Sequence, residues 1–162
     1  MSAPDGLSLA ASPAGRGFRL EAAQFLPASR ERVFAFFSDA FRLETITPPW
    51  LEFRVLTPAP IAVSAGTLID YRLKLHRIPV RWRSRIAVWE PASRFVDEQV
   101  CGPYRRWHHE HFFEAVDGGT LCRDVVDYDV PGGGLVDFLF VRRDLRRIFS
   151  YRRRRLSEFF PG

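Results

Sequence analysis

The sequence predicts an α+β protein in which one curved antiparallel sheet wraps around a single long C-terminal helix. Three observations support this fold class: a first strand followed by two short helical segments, six further strand-like segments between residues 51 and 130, and a long helical segment at residues 135–160. A sheet of this length must bury one face, and only the last helix is long enough to cover it. A curved sheet around one helix leaves a space between them, so the sequence indicates a protein with an internal pocket.

The pattern begins with one strand and two short helices. Residues 18–26 alternate between apolar and polar side chains and stop at Pro27, which predicts a strand. Ser29 is a suitable cap for a helix that runs to about residue 38, and Asp39 for a second helix that runs to about residue 46. Because the residue before a proline avoids the helical conformation, Pro48 ends this helical part.

Six strands follow, and turn signals separate them. The Asp-Gly-Gly sequence at residues 117–119 joins the last two strands as a hairpin, and a tight turn around residues 78–79 joins two long ones. Pro131 and the three glycines after it end the sheet and release the chain into the last helix. The predicted order is strand, two helices, six strands, helix, with about seven strands in all. The six strands are predicted at residues 51–56, 66–78, 79–90, 94–100, 104–116 and 120–130.

The last helix, predicted over residues 135–160, is amphipathic. At the helical period its large apolar side chains fall on one stripe, about a third of the circumference wide, which we expect to face the sheet. Arg152 is an exception inside the stripe, where it either pairs with a carboxylate of the sheet or meets an anionic group of a ligand. The stripe consists of Phe138, Val141, Leu145, Ile148, Phe149, Leu156 and Phe159.

Length and composition indicate a single domain without a membrane span. The chain has 162 residues, enough for one core, and we place the domain at residues 18–160. Residues 1–17 are mainly small residues, proline and glycine, and are expected to form a disordered tail that is not a signal peptide. Cys101 and Cys122 are too few for a disulfide framework, so a cytoplasmic protein is the default expectation. We expect no cofactor.

The positive charge of the chain is concentrated in the last helix. Residues 135–160 hold eight arginines and three acidic residues, a net charge of +5, which equals that of the whole chain. Such a basic surface is typical of a solvated helix face, or of a transient contact with an anionic membrane or an acidic partner; nucleic acid is not expected. The arginines that would make this contact are Arg143, Arg146, Arg147, Arg153, Arg154 and Arg155.

Four segments of the sequence are informative together: TPPWLEF at 47–53, IPVRW at 78–82, GPYRRWHH at 102–109 and FVRR at 140–143. They resemble the START-like, or SRPBCC, superfamily, which includes Bet v 1-like proteins and polyketide cyclases/dehydrases. With the element order, they are most similar to small bacterial SRPBCC proteins described as cell-division-inhibitor-like. The resemblance covers roughly residues 18–160 and implies the helix-grip fold, with a deep, largely apolar cavity between sheet and helix. It implies no catalytic residues, because the superfamily includes carriers, sensors and enzymes on one scaffold.

Strand alternation predicts which side chains face this cavity. Aromatic side chains and a few polar groups converge there, which is typical of a small-molecule site. Trp50 is either a core residue or an exposed aromatic near the cavity mouth. The expected binding residues of the sheet are Tyr71, Trp82, Asp97, Gln99, Trp107, His109, His111, Phe113, Asp124 and Tyr128. Those of the helix are Phe138, Val141, Leu145, Ile148, Phe149 and Arg152.

The histidines and aspartates of this set leave three hypotheses open. His109 and His111 could ligate a metal with Asp124 or Asp97, although a histidine pair alone is weak evidence for a metal and we expect none. His109 with Asp124 could act as a general acid or base. The same residues could instead orient a bound lipophile through hydrogen bonds, which is the hypothesis we favour.

Several other chemistries lack their motifs in this sequence. The glycines at residues 132–134 are not followed by the Lys-Ser/Thr of a Walker loop, and neither Gly-x-Ser-x-Gly nor Cys-x-x-Cys occurs. We therefore expect a protein that binds a hydrophobic small molecule, such as a lipid, polyketide or isoprenoid, without catalysis. Two alternatives stay open: a cyclase- or dehydratase-like enzyme that uses His109 and Asp124, and an interaction protein that acts through its arginine-rich helix.

Overall fold

The computed structural model describes residues 6–162 and shows one curved antiparallel sheet of eight strands with a long C-terminal helix. The predicted fold class, α+β with the helix-grip arrangement, is confirmed. Across the sheet the strands run in the order β1-β2-β8-β7-β6-β5-β4-β3. The strands are β1 (Gly6–Ala11), β2 (Phe18–Leu26), β3 (Arg54–Val55), β4 (Leu68–Leu75), β5 (Ile78–Glu90), β6 (Arg94–Cys101), β7 (Arg106–Val116) and β8 (Gly119–Asp129). The α-helices are α1 (Arg30–Ser38), α2 (Arg42–Ile46), α3 (Gly133–Val136) and α4 (Arg142–Phe159).

Strand β1 is a feature that the sequence analysis did not predict. We expected residues 1–17 to form a disordered tail, and for β1 this is wrong because it pairs antiparallel with β2. Leu7 and Leu9 pack against the buried cluster beneath the sheet. The segment is short and its strand conformation depends on this pairing partner, which the local sequence does not show. Residues 1–5 of the expected tail lie outside the described residues.

Two predicted features in the middle of the chain differ in the structure. The strand expected at residues 51–56 is a single 3₁₀ turn (Pro49–Leu51) followed by the two-residue strand β3. The hairpin between β4 and β5 turns at His76 and Arg77 instead of residues 78–79, and both have a positive φ, 49° and 70°. Two-residue hairpin turns usually place Asn or Gly at such positions, so this turn has no sequence signature.

Strand alternation predicts that Val80, Trp82, Ser84, Ile86 and Val88 share one face of β5, and the cavity wall follows this prediction only as far as Ile86. A register shift against β6 between Ile86 and Val88 places one extra residue in β5. An extra residue reverses the alternation of the strand beyond it. As a result Trp89, and not Val88 as predicted, lines the cavity and packs with its ring centroid 5.1 Å from that of Phe34.

A π-helical turn interrupts the C-terminal helix and changes which residues face the sheet. It spans Asp137–Val141, between α3 and α4. Leu145, Phe149 and Leu156 are buried, as predicted. Phe138, the second residue of this turn, is instead 65% exposed, because a π turn holds more residues than an α-helical turn and so moves the side chains at its start away from the stripe. Within residues 6–162, no helix combines the length and the apolar character that crossing a bilayer requires.

Three buried clusters surround the space between sheet and helix. The largest joins α1 to the far end of α4 and contains Phe37. The second lies under β2 and β8 and contains Phe149, and the third lies under β4 and contains Tyr71. All three of these residues also line one cavity, so the packing that stabilises the fold also shapes the candidate site.

Candidate functional site

A cavity of about 210 Å³ lies between the sheet and α4. Its wall is mostly aromatic and aliphatic, the usual composition of a small-molecule site. The apolar wall includes Ile69, Tyr71, Leu73, Trp82, Phe95 and Trp107 from the sheet and Leu145, Ile148 and Phe149 from α4. The polar residues of the wall are Ser38, Thr47, Ser84, Asp97, His109, His111 and Arg152.

The structure brings ten of the sixteen expected binding residues together on this wall. Alternation along β4, β5, β6 and β7 and the helical period along α4 place them there, so both periodicities gave the correct inner faces for these residues. These residues are Tyr71, Trp82, Asp97, Trp107, His109, His111, Leu145, Ile148, Phe149 and Arg152.

Three expected residues of the sheet have other positions. The Gln99 amide donates to the carbonyl of Tyr104 (2.7 Å) and accepts from its N–H (3.1 Å), so it holds the loop before β7. Phe113 belongs to the buried cluster under α1. The Tyr128 hydroxyl donates to Asp137 (2.7 Å), which ties β8 to the start of the C-terminal helix. Alternation identifies the inner face of a strand, but it does not separate cavity wall from solid core.

Three further expected residues also lie off the cavity wall. Phe138 is exposed in the π turn. Val141 packs against the buried cluster that contains Leu20 and Val126. Asp124 is not in the wall of this cavity, but it contacts the two histidines that are.

Sequence reasoning missed the part of the wall that comes from α2 and the loops. The Phe53 ring, for example, lies 5.0 Å from that of Tyr71. These segments are too short or too irregular to show a periodic pattern. The only signal in the sequence was that several of their side chains are large and apolar. The missed residues of these segments include Leu43, Leu51, Phe53, Val63 and Tyr104. Trp89 was also missed, because the extra residue in β5 reverses the alternation there.

Four titratable side chains form a compact cluster on the sheet side of the cavity: Asp97, His109, His111 and Asp124. Nε2 of His109 lies 2.8 Å from Oδ1 of Asp124, and Nε2 of His111 lies 2.7 Å from Oδ2 of Asp97. The two imidazole rings stack with centroids 3.7 Å apart. Nδ1 of His109 lies 3.7 Å from Asp97, and Nδ1 of His111 lies 3.0 Å from Asp124. Each histidine therefore contacts both carboxylates.

The register of three adjacent strands creates this cluster. Asp97 on β6 is paired with His109 on β7, and His111 is paired with Asp124 on β8. Directly opposed residues of antiparallel strands point to the same face with their Cβ atoms close together. Because His109 and His111 are two positions apart, they share that face, and each meets an aspartate from a different neighbouring strand.

Arg152 on α4 contacts the cluster from the helix side. Its Nη2 lies 3.4 Å from Oδ1 of Asp124, and its guanidinium lies 5.1 Å from the ring centroid of Phe37 and 5.7 Å from that of Phe149. Of the two interactions expected for Arg152, the structure shows the pair with a carboxylate of the sheet. Arg152 also lines the cavity.

Contacts within the cluster and with Arg152 shift the pKa values of its four side chains. Burial alone would raise the pKa of Asp97 and Asp124, but the hydrogen bond from His111 to Asp97 and the charge of Arg152 beside Asp124 outweigh it, so both pKa values lie below the usual range. Burial and the neighbouring His111 lower the pKa of His109, which is therefore neutral at pH 7. Burial also opposes protonation of His111, but its close contacts with the carboxylates of Asp124 and Asp97 prevail and raise its pKa.

The cluster is compact enough to be compared with a metal site. The ligand atoms of Asp97, His109 and His111 all lie within 4.8 Å of one another, and two histidines with a carboxylate are a common zinc ligand set. However, one nitrogen of each histidine is already hydrogen-bonded to a carboxylate, and the Arg152 guanidinium beside Asp124 disfavours a second cation. The arrangement fits a hydrogen-bonded cluster better than a cation site.

Solved structures share this fold at low sequence identity. A protein of Chromobacterium violaceum matches with a TM-score of 0.70 at 14% identity, over 89% of this chain and 98% of that chain. A protein of Thermus thermophilus matches with a TM-score of 0.66 at 22% identity, over 86% and 94%. The Zhui aromatase/cyclase of a Streptomyces species matches with a TM-score of 0.65 at 15% identity, over 85% and 90%.

Comparison of the sequence with curated proteins gave no match. The profile of one protein family, described as polyketide cyclase / dehydrase and lipid transport, matches residues 26–160. The match spans both short helices, strands β3 to β8 and the C-terminal helix, and it agrees with the resemblance seen in the sequence. This chain therefore belongs to the polyketide cyclase / dehydrase and lipid transport family.

Proposed function

We propose that the protein binds an apolar small molecule in the cavity between the sheet and α4. The observation that carries this proposal is a mostly apolar cavity with one compact polar cluster in its wall. The aromatic wall supplies most of the affinity by removing apolar ligand surface from water, and the cluster orients the ligand. The description of the family, which covers polyketide cyclases, dehydrases and lipid transport, supports this class of ligand.

The cluster favours a ligand that carries an oxygen atom at one end. Nε of Arg152 and Nδ1 of His111 are buried and make no hydrogen bond with any other part of residues 6–162. The 3.0 Å contact of this Nδ1 with Asp124 has the distance but not the angles of a hydrogen bond. A buried donor without a hydrogen bond destabilises the protein by about 1–3 kcal/mol. A ligand whose carbonyl, hydroxyl or carboxylate oxygen accepts a hydrogen bond from either group would remove this cost and bind more tightly.

We expect Ile148→Trp to weaken the binding of an apolar dye roughly tenfold or more. Ile148 is half-buried and lines the cavity from α4, and a larger ring at this position occupies space that the dye needs. The measurement is a fluorescence titration with anilinonaphthalene sulfonate, compared with the wild-type protein. Native mass spectrometry of gently purified protein, followed by extraction, then identifies any natural ligand.

The matched control is Arg154→Trp, which adds the same ring to an exposed position of α4 and should leave the dye affinity unchanged. Thermal unfolding of both variants shows whether each is folded. If a folded Ile148→Trp variant binds the dye as tightly as the wild type, the cavity is not the dye-binding site and the proposal fails.

One observation favours a second candidate function, a cyclase-like enzyme. His109 lies in the cavity wall with a lowered pKa, so it is a neutral imidazole at pH 7. If Nε2–H donates to Asp124, Nδ1 is left to accept a proton from a carbon next to a ligand carbonyl. The enolate then attacks a second carbonyl to form a C–C bond, and the imidazolium returns the proton to the new alkoxide. The aromatase/cyclase among the structural neighbours supports this candidate.

For an enzyme of this kind, His109→Gln should lower turnover roughly 10²–10⁴-fold and change dye affinity much less. Turnover is followed by mass spectrometry with a poly-β-ketone as substrate. His108→Gln is the matched control, since His108 lies on the opposite face of β7 and pairs with Glu98 at 2.9 Å. A pure carrier shows no turnover in any of the proteins, and equal turnover in wild type and His109→Gln rules out His109 as the base.

A further inference from the structure

The start of the C-terminal helix exposes an unusual amount of apolar surface. Leu135 is 69% exposed, Phe138 65%, Phe140 52% and Leu139 45%. These four residues, here called the apolar ridge, lie within six consecutive positions of α3 and the π turn. Single exposed apolar residues are common, but a contiguous group of large ones usually marks an interaction surface.

Three arginines follow the apolar ridge directly along α4. Arg143, Arg146 and Arg147 are exposed, and no carboxylate in residues 6–162 lies within 4.0 Å of any of them. The guanidinium of Arg147 lies 4.9 Å from the ring centroid of Trp50, which is itself 47% exposed. This arginine group therefore carries positive charge that the described part of the protein does not neutralise.

Several arginines on the outer face of the sheet are paired with carboxylates, unlike this group. Arg83 pairs with Asp70, Arg85 with Glu98 and Arg94 with Glu110, at 2.7, 2.8 and 3.0 Å. Of the other arginines named as a contact surface, Arg155 is bonded to the Thr45 carbonyl and to Glu158, and Arg154 lies about two helical turns beyond Arg147. On α4, the three unpaired arginines that lie next to the apolar ridge are therefore available to a partner that contacts the ridge.

The ridge and the arginine group lie at one end of the cavity. The ring of His76 is 6.1 Å from that of Phe140, and His76 follows Leu75, which lines the cavity. On the other side, Trp50 precedes Leu51, which also lines it. The same end of the molecule exposes Ile78, at 66%.

We infer that the apolar ridge and the arginine group together form a docking face for an anionic lipid bilayer. Large apolar and aromatic side chains insert at the level of the headgroups, and each arginine near the surface attracts anionic lipid. Charge complementarity favours an anionic bilayer over a second copy of the chain. A second copy would bring the same three unpaired arginines to the interface, where like charges repel. Docking in this way places the end of the cavity that holds Leu51 and Leu75 next to the bilayer.

The test is flotation of the full chain with two kinds of vesicle, phosphatidylcholine alone and phosphatidylcholine with phosphatidylglycerol. Binding to the anionic vesicles and not to the neutral ones is expected, with a loss at high salt because screening weakens surface charge. Arg143→Gln with Arg146→Gln should weaken the partition coefficient roughly thirtyfold. Phe138→Gln with Leu139→Gln should weaken it roughly tenfold or more.

Two control variants carry matched changes on the outer face of the sheet. Arg72→Gln with Arg81→Gln removes two exposed charges from a directly opposed pair, and Leu68→Gln removes an apolar side chain that is 48% exposed. Both should bind anionic vesicles like the wild type, and thermal unfolding confirms that all variants are folded. The inference is overturned if wild type does not float with anionic vesicles, if the controls lose binding equally, or if the ridge variant abolishes self-association and leaves vesicle binding intact.

Discussion

Arg152→Met should lower the free energy of unfolding by about 3 kcal/mol, which corresponds to a Tm lower by roughly 10 °C. The variant keeps most of the aliphatic volume that packs near Phe37 and Phe149 but removes the cation beside Asp124. Asp124 is then a buried carboxylate with only histidine partners, and the largest influence that lowers its pKa is gone. Chemical denaturation at pH 7 measures the effect.

Two further variants isolate the electrostatic part of this loss. Arg154→Met changes the same residue type at an exposed position two residues along α4 and should alter stability by less than about 0.5 kcal/mol. Asp124→Asn combined with Arg152→Met should be more stable than the sum of the two single effects predicts, because the buried charge and its partner are removed together. Strict additivity would show that the two groups are not coupled.

The second large effect is expected in acid. The pKa values of Asp97 and Asp124 are below their usual value of 3.8 in the folded protein, so as pH falls through that value the unfolded chain binds protons first. Stability is therefore present above pH 3.8 and is lost as pH falls toward the folded pKa values. Each such carboxyl contributes a slope of up to about 1.4 kcal/mol per pH unit. Denaturation curves at a series of pH values measure the slope.

Asp124→Asn should have a lower free energy of unfolding at neutral pH than the wild type. Its free energy of unfolding should also fall less steeply as the pH is lowered below 3.8, since one titrating group is absent. Asp117→Asn, in the exposed hairpin between β7 and β8, is the control and should keep the wild-type slope. An unchanged slope in Asp124→Asn would mean that this carboxyl does not have a lowered pKa in the folded state.

The two histidines should affect stability in opposite directions near pH 6.5, their usual pKa. The pKa of His111 is raised in the folded protein, so its contribution is complete below pH 6.5 and is lost as pH rises through the folded value. The pKa of His109 is lowered, so stability decreases as pH falls below 6.5, where the unfolded chain takes up the proton first. Because the effect of His109 lies below pH 6.5 and that of His111 lies above it, the free energy of unfolding should pass through a maximum near pH 6.5, which the same series of denaturation curves measures.

Much of the fold and part of the site were predictable because they depend on periodicity. Alternation along β7 placed His109 and His111 on one inner face, and the helical period placed Leu145, Phe149 and Arg152 on the face of α4 that meets the sheet. Both patterns repeat over many residues, so single exceptions do not hide them. The site residues that no period describes, such as Phe53 in a loop, were missed for the same reason.

The sequence by itself determined the α+β class, the order of most elements, the amphipathic last helix and the set of polar residues available to a cavity. Only the tertiary structure decided that β1 pairs with β2, that an extra residue in β5 turns Trp89 inward, and that a π turn leaves Phe138 exposed. It also decided which aspartate meets which histidine, since Asp97, His109, His111 and Asp124 meet through the register of three strands. Register and packing depend on contacts between residues far apart in the chain, and local pattern carries little information about them.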